Sequence, residues 1–456
     1  MNISRGIAFG IYLLISLYTH GQEYDIRVNL KGYSGDTSLL VALSGNKTPI
    51  VNEAVFDDTG LARFIGNEKL QRGLYAITIP GNRLFEVLID NSMFFTIIPD
   101  TNDFAKNTRI INSPENQAYY DYQSFIDKKS RERELLVAKR NEVRYMADSV
   151  RYYNRKIAFL QDEIDNYLLD LVREHEGTFT GNFFKAHLPV EKPGNEENKI
   201  ENFRTRYQYM IRHYFDNIDF SNTALLNTPV IYRKLESYFK RTLVENPDTI
   251  VKYADLLLYE TSKHPLYFRY IIEYLTNWLD TSTNPALEKV LVYLIDNYYK
   301  DNDLDWVSAE YNNYLLDKAN RLRPLLIGSK APGFSFKNPN GEQISIDQIL
   351  HQHEGVLLYF REPDCPACKY AEKSLSRLVY KYQEIGFLAL SAATPDSGTF
   401  PAGENSYQGQ ISPGFFEIYD INFTPEFYLI DHNGTIIAKK MVLENIEEEI
   451  ILLLSE

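Results

Sequence analysis

The stretch GVLLYFREPDCPACKYAEKSL, residues 355–375, holds both cysteines of the chain, Cys365 and Cys368. Its apolar run, GVLLYF, is typical of a buried strand; REPD then turns the chain, and a helical pattern begins at Cys365. The two thiols are therefore expected at a strand-to-helix turn, one helical turn apart on the same face. A C-x-x-C in this setting predicts a redox-active dithiol in a thioredoxin-like α/β domain.

Thiol–disulfide exchange explains why a cysteine suits this position. Unpaired backbone N–H groups and the helix dipole favour a thiolate at Cys365, and the thiolate is the attacking species. Cys368 can then attack the mixed disulfide on Cys365 and release the substrate. We expect Cys365 and Cys368 to be the catalytic residues, and we expect neither a metal nor another cofactor.

A zinc site is the alternative for these cysteines, because His351 and His353 lie just upstream. The strand predicted from Gly355 to Arg361 should separate its two ends by roughly 20 Å. The histidines are then expected at one edge of the sheet and the cysteines at the other. This separation favours the redox interpretation.

The whole chain has the composition of a folded protein with several domains. Its 456 residues exceed what one hydrophobic core usually holds, and 44% of them are hydrophobic and 24% charged. The net charge of -14 argues against general nucleic-acid binding.

The N-terminus predicts export. One early cation, Arg5, precedes an apolar run from Ile7 to Tyr18, and a small residue, Gly21, stands where signal peptidase reads. We expect residues 1–21 to be a signal peptide, an uncleaved anchor being the alternative. The mature protein should then lie in the periplasm or cell envelope, with no stable membrane span. An exported protein stabilised by disulfides usually carries several, so a single close pair favours catalysis.

Periodicity divides the mature chain into three regions. Residues 22–110 show short alternating strands and predict an antiparallel β-sandwich accessory domain. Residues 111–326 read as an all-α domain, and residues 327–456 alternate β and α patterns. The fold class expected is multidomain, with the α/β thioredoxin-like domain last.

The helical region contains two patterns. A heptad stripe from Leu136 to Leu171 predicts one helix of some 40 residues, whose partner is either a helix of the same domain or a second copy of the chain in a homodimer. Beyond it, prolines at regular spacing mark the starts of short helices: Pro229, Pro247, Pro265 and Pro285.

Three motifs of the last region, GSKAPGFSF, VLLYFREPDCPACKYAEKSL and YDINFTPEFYLIDHNGTII, resemble the thioredoxin-like domain of bacterial envelope thiol–disulfide oxidoreductases of the TlpA/ResA type, related to AhpC/TSA peroxidases. The resemblance covers residues 328–456. It implies a cis Thr424-Pro425 bond facing the cysteine pair, with Thr424 and Pro425 binding substrate. The upstream regions resemble, more weakly, an accessory β domain and a helical domain of unknown function.

The chain departs from this family at several positions. Asp364 stands where thioredoxins have Trp, and Ala371 stands where ResA-type proteins often have Glu. The next residue, Glu372, is expected to be an exposed carboxylate rather than a proton relay. Peroxidases of the related fold need Thr or Ser at the position of Glu362, which argues against peroxidase activity.

The sequence thus predicts an exported thiol–disulfide oxidoreductase that exchanges electrons with protein clients and an unidentified electron donor. An envelope ligand-binding protein with a non-catalytic thioredoxin-like domain is the alternative, and a thiol peroxidase is a weaker one. Asp364 and Glu362 disfavour a further negative charge on Cys365, and Lys369 offsets them only in part. This balance predicts a reductant.

Overall fold

The computed structural model describes residues 22–79, 83–100, 108–190, 203–301, 304–393, 400–401 and 403–455. The predicted signal peptide, residues 1–21, lies outside them. The chain forms two compact units: the first takes residues up to Thr242 and His264–Tyr267, and the second takes Leu243–Lys263 and the chain from Phe268 onward. The domain borders expected after residues 110 and 326 stay predictions. Among the described helices, none combines the length and apolar character of a membrane span.

The first unit begins with two four-stranded sheets. Its strands are β1 (Tyr24–Asn29), β2 (Thr37–Ala42), β3 (Ile50–Val55), β4 (Leu61–Gly66), β5 (Gly73–Ile79), β6 (Arg83–Ile89), β7 (Phe94–Ile98) and β8 (Arg109–Ile111). The strand orders are β4-β1-β7-β8 and β3-β2-β5-β6. Inward-facing residues of both sheets, such as Ile26 and Ile77, share one hydrophobic core.

The pairing of β1 differs from the expected antiparallel sandwich. β1 runs antiparallel to β4 but parallel to β7, where Ile26 lies opposite Phe95. A parallel pair needs a long connection, and the strands between β1 and β7 supply it. The prediction of an entirely antiparallel β domain is therefore wrong for this pair.

A helical hairpin follows the sheets. Helix α1 (Pro114–Glu142) and helix α2 (Ala147–Glu174) contact through Phe125 and Tyr167, whose ring centroids lie 4.3 Å apart. Lys129 and Glu163 form an ion pair at 2.9 Å. The prediction of one long helix is wrong, because the chain turns after Glu142. The part of the heptad stripe on α2 has a partner helix, α1, within the same chain, and the homodimer stays a prediction.

The four prolines expected to mark helix starts lie at or next to the starts of helical segments. The described helices before the last region are α3 (Phe179–Lys185), α4 (Phe203–Arg212), α5 (Val230–Ser237), α6 (Pro247–Thr261), α7 (Pro265–Asp280), α8 (Glu288–Leu294) and α9 (Ala309–Leu322). Pro247 and Pro265 are first helical residues, Pro229 directly precedes α5, and Pro285 opens a short 3-10 turn before α8. Proline suits these positions because the first N–H of a helix has no partner inside it.

The C-terminal region of the second unit is an α/β fold. Its strands are β9 (Ser335–Lys337), β10 (Gln343–Ser345), β11 (Gly355–Phe360), β12 (Ile385–Ser391), β13 (Ser406–Gln410), β14 (Glu426–Asp431) and β15 (Ile436–Lys439). They form one sheet in the order β10-β9-β13-β12-β11-β14-β15. The helices are α10 (Ile346–Leu350), α11 (Pro366–Lys381), α12 (Gly414–Ile418) and α13 (Ile446–Ser455).

Central strand β11 is buried along its whole length. Leu357 and Tyr359 face a core that includes α11 and α13, and Leu358 and Phe360 face a second core with α10 and α12. The expectation of a sheet covered on both faces is confirmed. The carboxyl end of β11 delivers the chain to the cysteines.

Candidate functional site

The two cysteines form a disulfide at the N-terminus of α11, with their Cα atoms 5.2 Å apart. Cys365 is the N-cap of this helix, and the backbone N–H of Cys368 donates to its Sγ at 3.0 Å. Pro366 occupies the first helical position, where no N–H is needed. Helix capping therefore holds the Cys365 sulfur beside the Cys368 N–H at the positive end of the helix, where a thiolate is favoured.

The two sulfurs differ in their access to solvent. Cys368 is fully buried, with 0% of its surface exposed, whereas Cys365 is only half-buried. Cys368 lies on the face of α11 that packs against the sheet core. A large substrate can therefore reach Cys365 first, and Cys368 can react only with a group already attached there.

The segment Thr424-Pro425 lies beside Cys365. The bond between these residues is cis, which confirms the prediction from the sequence. The Thr424 carbonyl oxygen lies 3.5 Å from the Cys365 Sγ. Glu426, the first residue of β14, stands opposite Phe360, the last residue of β11, so both turns meet at one end of the sheet. The substrate-binding roles of Thr424 and Pro425 stay predictions.

Tyr359, in strand β11, contacts the start of helix α11. Its hydroxyl donates to the Cys368 carbonyl oxygen at 3.0 Å, and its ring stacks on Phe427 with centroids 5.2 Å apart. Burial raises the pKa of Tyr359, and the charge of Glu372 raises it further. The hydroxyl therefore keeps its proton and its hydrogen bond throughout the neutral pH range.

Glu372 is buried and not exposed as the sequence interpretation expected. It pairs with Arg361 at 3.1 Å, and only 9% and 7% of the two side chains are exposed. Residues 365, 368 and 372 share one helical face, and that face packs on the sheet. This spacing could have revealed the burial from the sequence alone. Burial raises the pKa of Glu372, although Arg361 and Lys369 oppose the shift.

The other charges near the sulfurs are exposed. Asp364 lies directly before Cys365, and Glu362 lies three residues before it. Lys369 lies one turn into α11. All three side chains are exposed. Solvent screens such charges more than buried ones. The modest net repulsion that the sequence predicts for a Cys365 thiolate therefore stays a prediction.

The histidines of the zinc alternative lie away from the sulfurs. His353 precedes β11, and its Nε2 lies 2.9 Å from the Tyr407 hydroxyl, whereas the cysteines follow the other end of the strand. His351 is exposed. Across the described ranges, no three His, Cys, Asp or Glu side chains cluster in a way that could hold a metal ion.

The sequence did not predict a charged cluster near Glu426, the residue that follows the cis proline. Glu288, at the start of α8, pairs with Lys439, and the Lys440 Nζ lies 3.1 Å from both Glu288 and Asp420. The Lys439 side chain is 0% exposed. Glu288 is more than 150 positions from its partners, so no local pattern could have revealed the contact.

Glu426, directly after Pro425, faces the same cluster. Burial raises the pKa of Glu426 to about 7, with Asp420 and Glu288 adding to the shift and the two lysines opposing it. A carboxyl group whose pKa is raised toward neutrality therefore stands two residues after Thr424, whose carbonyl oxygen approaches Cys365.

Comparison with known proteins gives structural likenesses at low identity. A thioredoxin-like protein from Bacteroides caccae is 18% identical, with a TM-score of 0.45, over 58% of this chain and 97% of that one. The thioredoxin domain of a thiol-disulfide oxidoreductase from Bacteroides vulgatus is 20% identical, with a TM-score of 0.23, over 27% of this chain and 97% of the other. A thiol:disulfide interchange protein from Bacteroides sp. is 17% identical, with a TM-score of 0.25, over 28% and 91%. No family model and no curated protein matches the sequence.

Proposed function

We propose that the protein is an exported thiol–disulfide oxidoreductase that reduces disulfides of client proteins through Cys365 and Cys368. The cysteine pair is the observation that supports this proposal most directly. The accessible sulfur of Cys365 caps helix α11, and the buried sulfur of Cys368, one turn later, is bonded to it. A purely structural bridge would close a very short loop and remove little entropy from the unfolded chain.

The exchange begins from the reduced dithiol. The Cys365 thiolate attacks one sulfur of a client disulfide, a Cys365–client bond forms, and the other client sulfur leaves as a thiolate that takes a proton. Cys368 then loses its proton and attacks the Cys365 sulfur, which releases the second client thiol. The client disulfide has gained two electrons, and the Cys365–Cys368 disulfide awaits an electron donor.

Thr424 and Pro425 would position the client. The Thr424 backbone lies within 3.5 Å of the Cys365 Sγ. An extended client segment that pairs with this backbone would bring its own sulfur toward Cys365, in the manner of strand addition. Phe423, which is 81% exposed, offers an apolar surface beside this backbone.

Trapping of clients tests the proposal. In the Cys368→Ser protein, the mixed disulfide on Cys365 cannot be resolved, so clients should accumulate as covalent adducts that mass spectrometry identifies. Cys365→Ser is the matched control and should trap none. A Cys368→Ser protein without adducts, and a parent protein that fails to reduce a model disulfide, would favour the non-catalytic ligand-binding alternative.

We propose that electrons pass from the Cys365–Cys368 dithiol to client disulfides. The exposed acidic residues before the helix disfavour a very stable thiolate, so the disulfide should be comparatively hard to reduce. We expect a potential nearer thioredoxin's, about -270 mV, than that of DsbA, about -120 mV. Equilibration against glutathione measures it. A value above roughly -180 mV would indicate an oxidase or isomerase instead.

Export belongs to the same proposal, with cleavage after Gly21. N-terminal sequencing of protein from the envelope fraction should find a chain that begins at Gln22. A membrane-bound chain that still begins at Met1 would contradict cleavage.

A further inference from the structure

The first unit contains a cleft of about 340 Å³ that takes no part in the redox chemistry. Four aromatic rings supply much of its lining: Tyr119, Tyr122, Phe183 and Tyr214. Its size lies at the lower end of the range of small-molecule sites, roughly 300–1,000 Å³. Aromatic walls of this kind suit a ligand with a flat apolar body.

Two cations of helix α5, Arg233 and Lys234, line the same cleft. The Lys234 Nζ lies 5.2 Å from the centroid of the Tyr214 ring. Within the described part of the chain, neither cation forms an ion pair with a carboxylate. Burial lowers the pKa of Lys234 to about 8, because loss of water disfavours its charge. An anion bound here would offset that cost.

The other polar groups of the cleft leave this positive character in place. His187 Nδ1 lies 2.7 Å from the Phe183 carbonyl oxygen, which only accepts, so the ring donates through Nδ1 and presents Nε2 as an acceptor. Loss of water lowers the pKa of His187, and the two cations lower it further. The lining carboxylate, Glu86, accepts the Tyr119 hydroxyl and keeps its negative charge, so with Arg233 and Lys234 the lining carries one net positive charge.

We propose that this cleft binds a small aromatic anion, with its anionic group at Arg233 and Lys234 and its ring against the tyrosines. The two cations supply the charge that recognises the anion, and the aromatic lining sets the size and flatness of the body. The site is independent of the cysteines, so oxidised and reduced protein should bind the same ligand.

Labelling of Lys234 in the full-length protein tests the proposal. The probe is pyridoxal 5′-phosphate, an aromatic phosphate whose aldehyde forms an imine with a free amine; borohydride then fixes the adduct for peptide mapping. Lys234 should react at least about 10-fold faster than Lys240 near pH 7.5, since its amine is more often deprotonated. Lys240 lies six residues further along the chain and pairs with Glu236 at 3.5 Å, so it is a matched control.

A low pKa of Lys234 would speed labelling even without a binding site. Saturation of the labelling rate and protection by a competing ligand therefore distinguish binding from simple reactivity. The rate at Lys234 should level off as the probe concentration rises, and phenyl phosphate should slow it while leaving Lys240 unaffected. Arg233→Gln should weaken that protection without removing Lys234. A rate that stays linear in probe concentration and is not slowed by phenyl phosphate would overturn the proposal.

A direct binding measurement, made together with the melting temperature, distinguishes loss of binding from loss of folding in a variant. Calorimetry with phenyl phosphate should show binding to the parent and to Lys240→Met, and none to Lys234→Met with an unchanged melting temperature. Equal binding by the two variants, or none by the parent, would show that the cleft is not an anion site.

Discussion

At the scale of single residues, Glu372 and Arg361 each depend on the other's charge. Both side chains are almost fully buried, so Glu372→Gln removes from the interior the carboxylate that pairs with Arg361. We expect this variant to lose about 3 kcal/mol of unfolding free energy, as is typical when one member of a buried pair is removed. Urea denaturation measures the loss.

Glu447→Gln is the control for that prediction. Glu447 pairs with Arg377 at 2.8 Å and Lys381 at 2.6 Å, but Arg377 is 75% exposed. Exposed pairs contribute little, so its removal should have a much smaller effect. Equal losses in the two variants would mean that burial does not strengthen the Arg361 contact.

Glu426 gives the second residue-scale prediction, which concerns pH. Its folded pKa, about 7, lies above its ordinary value of 4.5. The proton is therefore held more tightly in the folded state, and the stability this contributes is complete below pH 4.5 and lost as pH rises through 7. The groups that face it are Asp420, Glu288, Lys439 and Lys440.

Denaturation at pH 5 and pH 8 tests this sign. Relative to Glu426→Gln, whose amide does not titrate, the parent protein should be more stable at pH 5 than at pH 8. Parallel pH profiles for the two proteins would show that Glu426 titrates normally.

The sequence predicted the residues whose roles are local. The spacing of Cys365 and Cys368 predicts that they share one helical face. The helical period also places Glu372 on that face. The Arg361–Glu372 contact could not be derived, because it depends on how α11 packs across the end of β11. The Glu288 cluster is a stronger case, since its members come from three separate segments.

At the scale of elements, the start of α8 is joined to the end of β15 by Glu288 and Lys439. Glu288→Gln should destabilise the protein by several kcal/mol, because the Lys439 side chain is 0% exposed and loses its counterion. Chemical denaturation measures the change. Asp248→Asn is the matched control, since Asp248 pairs with neighbouring Lys289 and is 76% exposed. A similar loss in both variants would contradict the role of the buried contact.

Element type was easier to derive from the sequence than element boundaries. The heptad stripe runs through residues 143–146 without Gly or Pro, so nothing in the pattern marks the turn between α1 and α2. Tyr145 is 85% exposed there, although its neighbours fit the apolar period. Strand order has the same difficulty, because alternation shows which residues face a core but not which strand lies beside β1.

At the scale of the whole molecule, the chemistry should be confined to the second compact unit. Both thiols and both cores of the α/β sheet lie within residues 325–453. A fragment from Leu243 to Glu456 should therefore reduce a model disulfide at close to the parent rate, and residues 22–242 should not reduce it at all. Turnover with a dithiol donor measures both.

A shorter fragment separates activity from stability. A chain from Arg323 keeps the cysteines and the sheet but lacks Glu288, so Lys439 loses its partner. We expect reductase activity from this fragment, with unfolding at a lower denaturant concentration than the fragment from Leu243. A folded but inactive fragment would mean that the helices of the second unit help to complete the site.

The change of hydrophobic period along the chain predicted β, helical and α/β regions, whose exact order and borders stay predictions. The grouping of the helices into compact units could not be predicted. Helix α5 belongs to the first compact unit and α6 to the second, yet both show the same proline start and amphipathic pattern. Periodicity shows that a helix has a buried face, but it does not show which core receives that face.

The unequal exposure of the two sulfurs also bears on chemical durability. A peroxide that enters the site meets reduced Cys365 and converts it to a sulfenic acid, while Cys368 is shielded. The Cys368 thiol, one turn away, can condense with that sulfenic acid, releasing water and forming the same disulfide that a client would leave behind. Further oxidation to the irreversible sulfinic acid is thereby pre-empted. Under the proposed function, oxidant exposure thus becomes a reversible event, repaired by the same donor that would reduce the disulfide after a client.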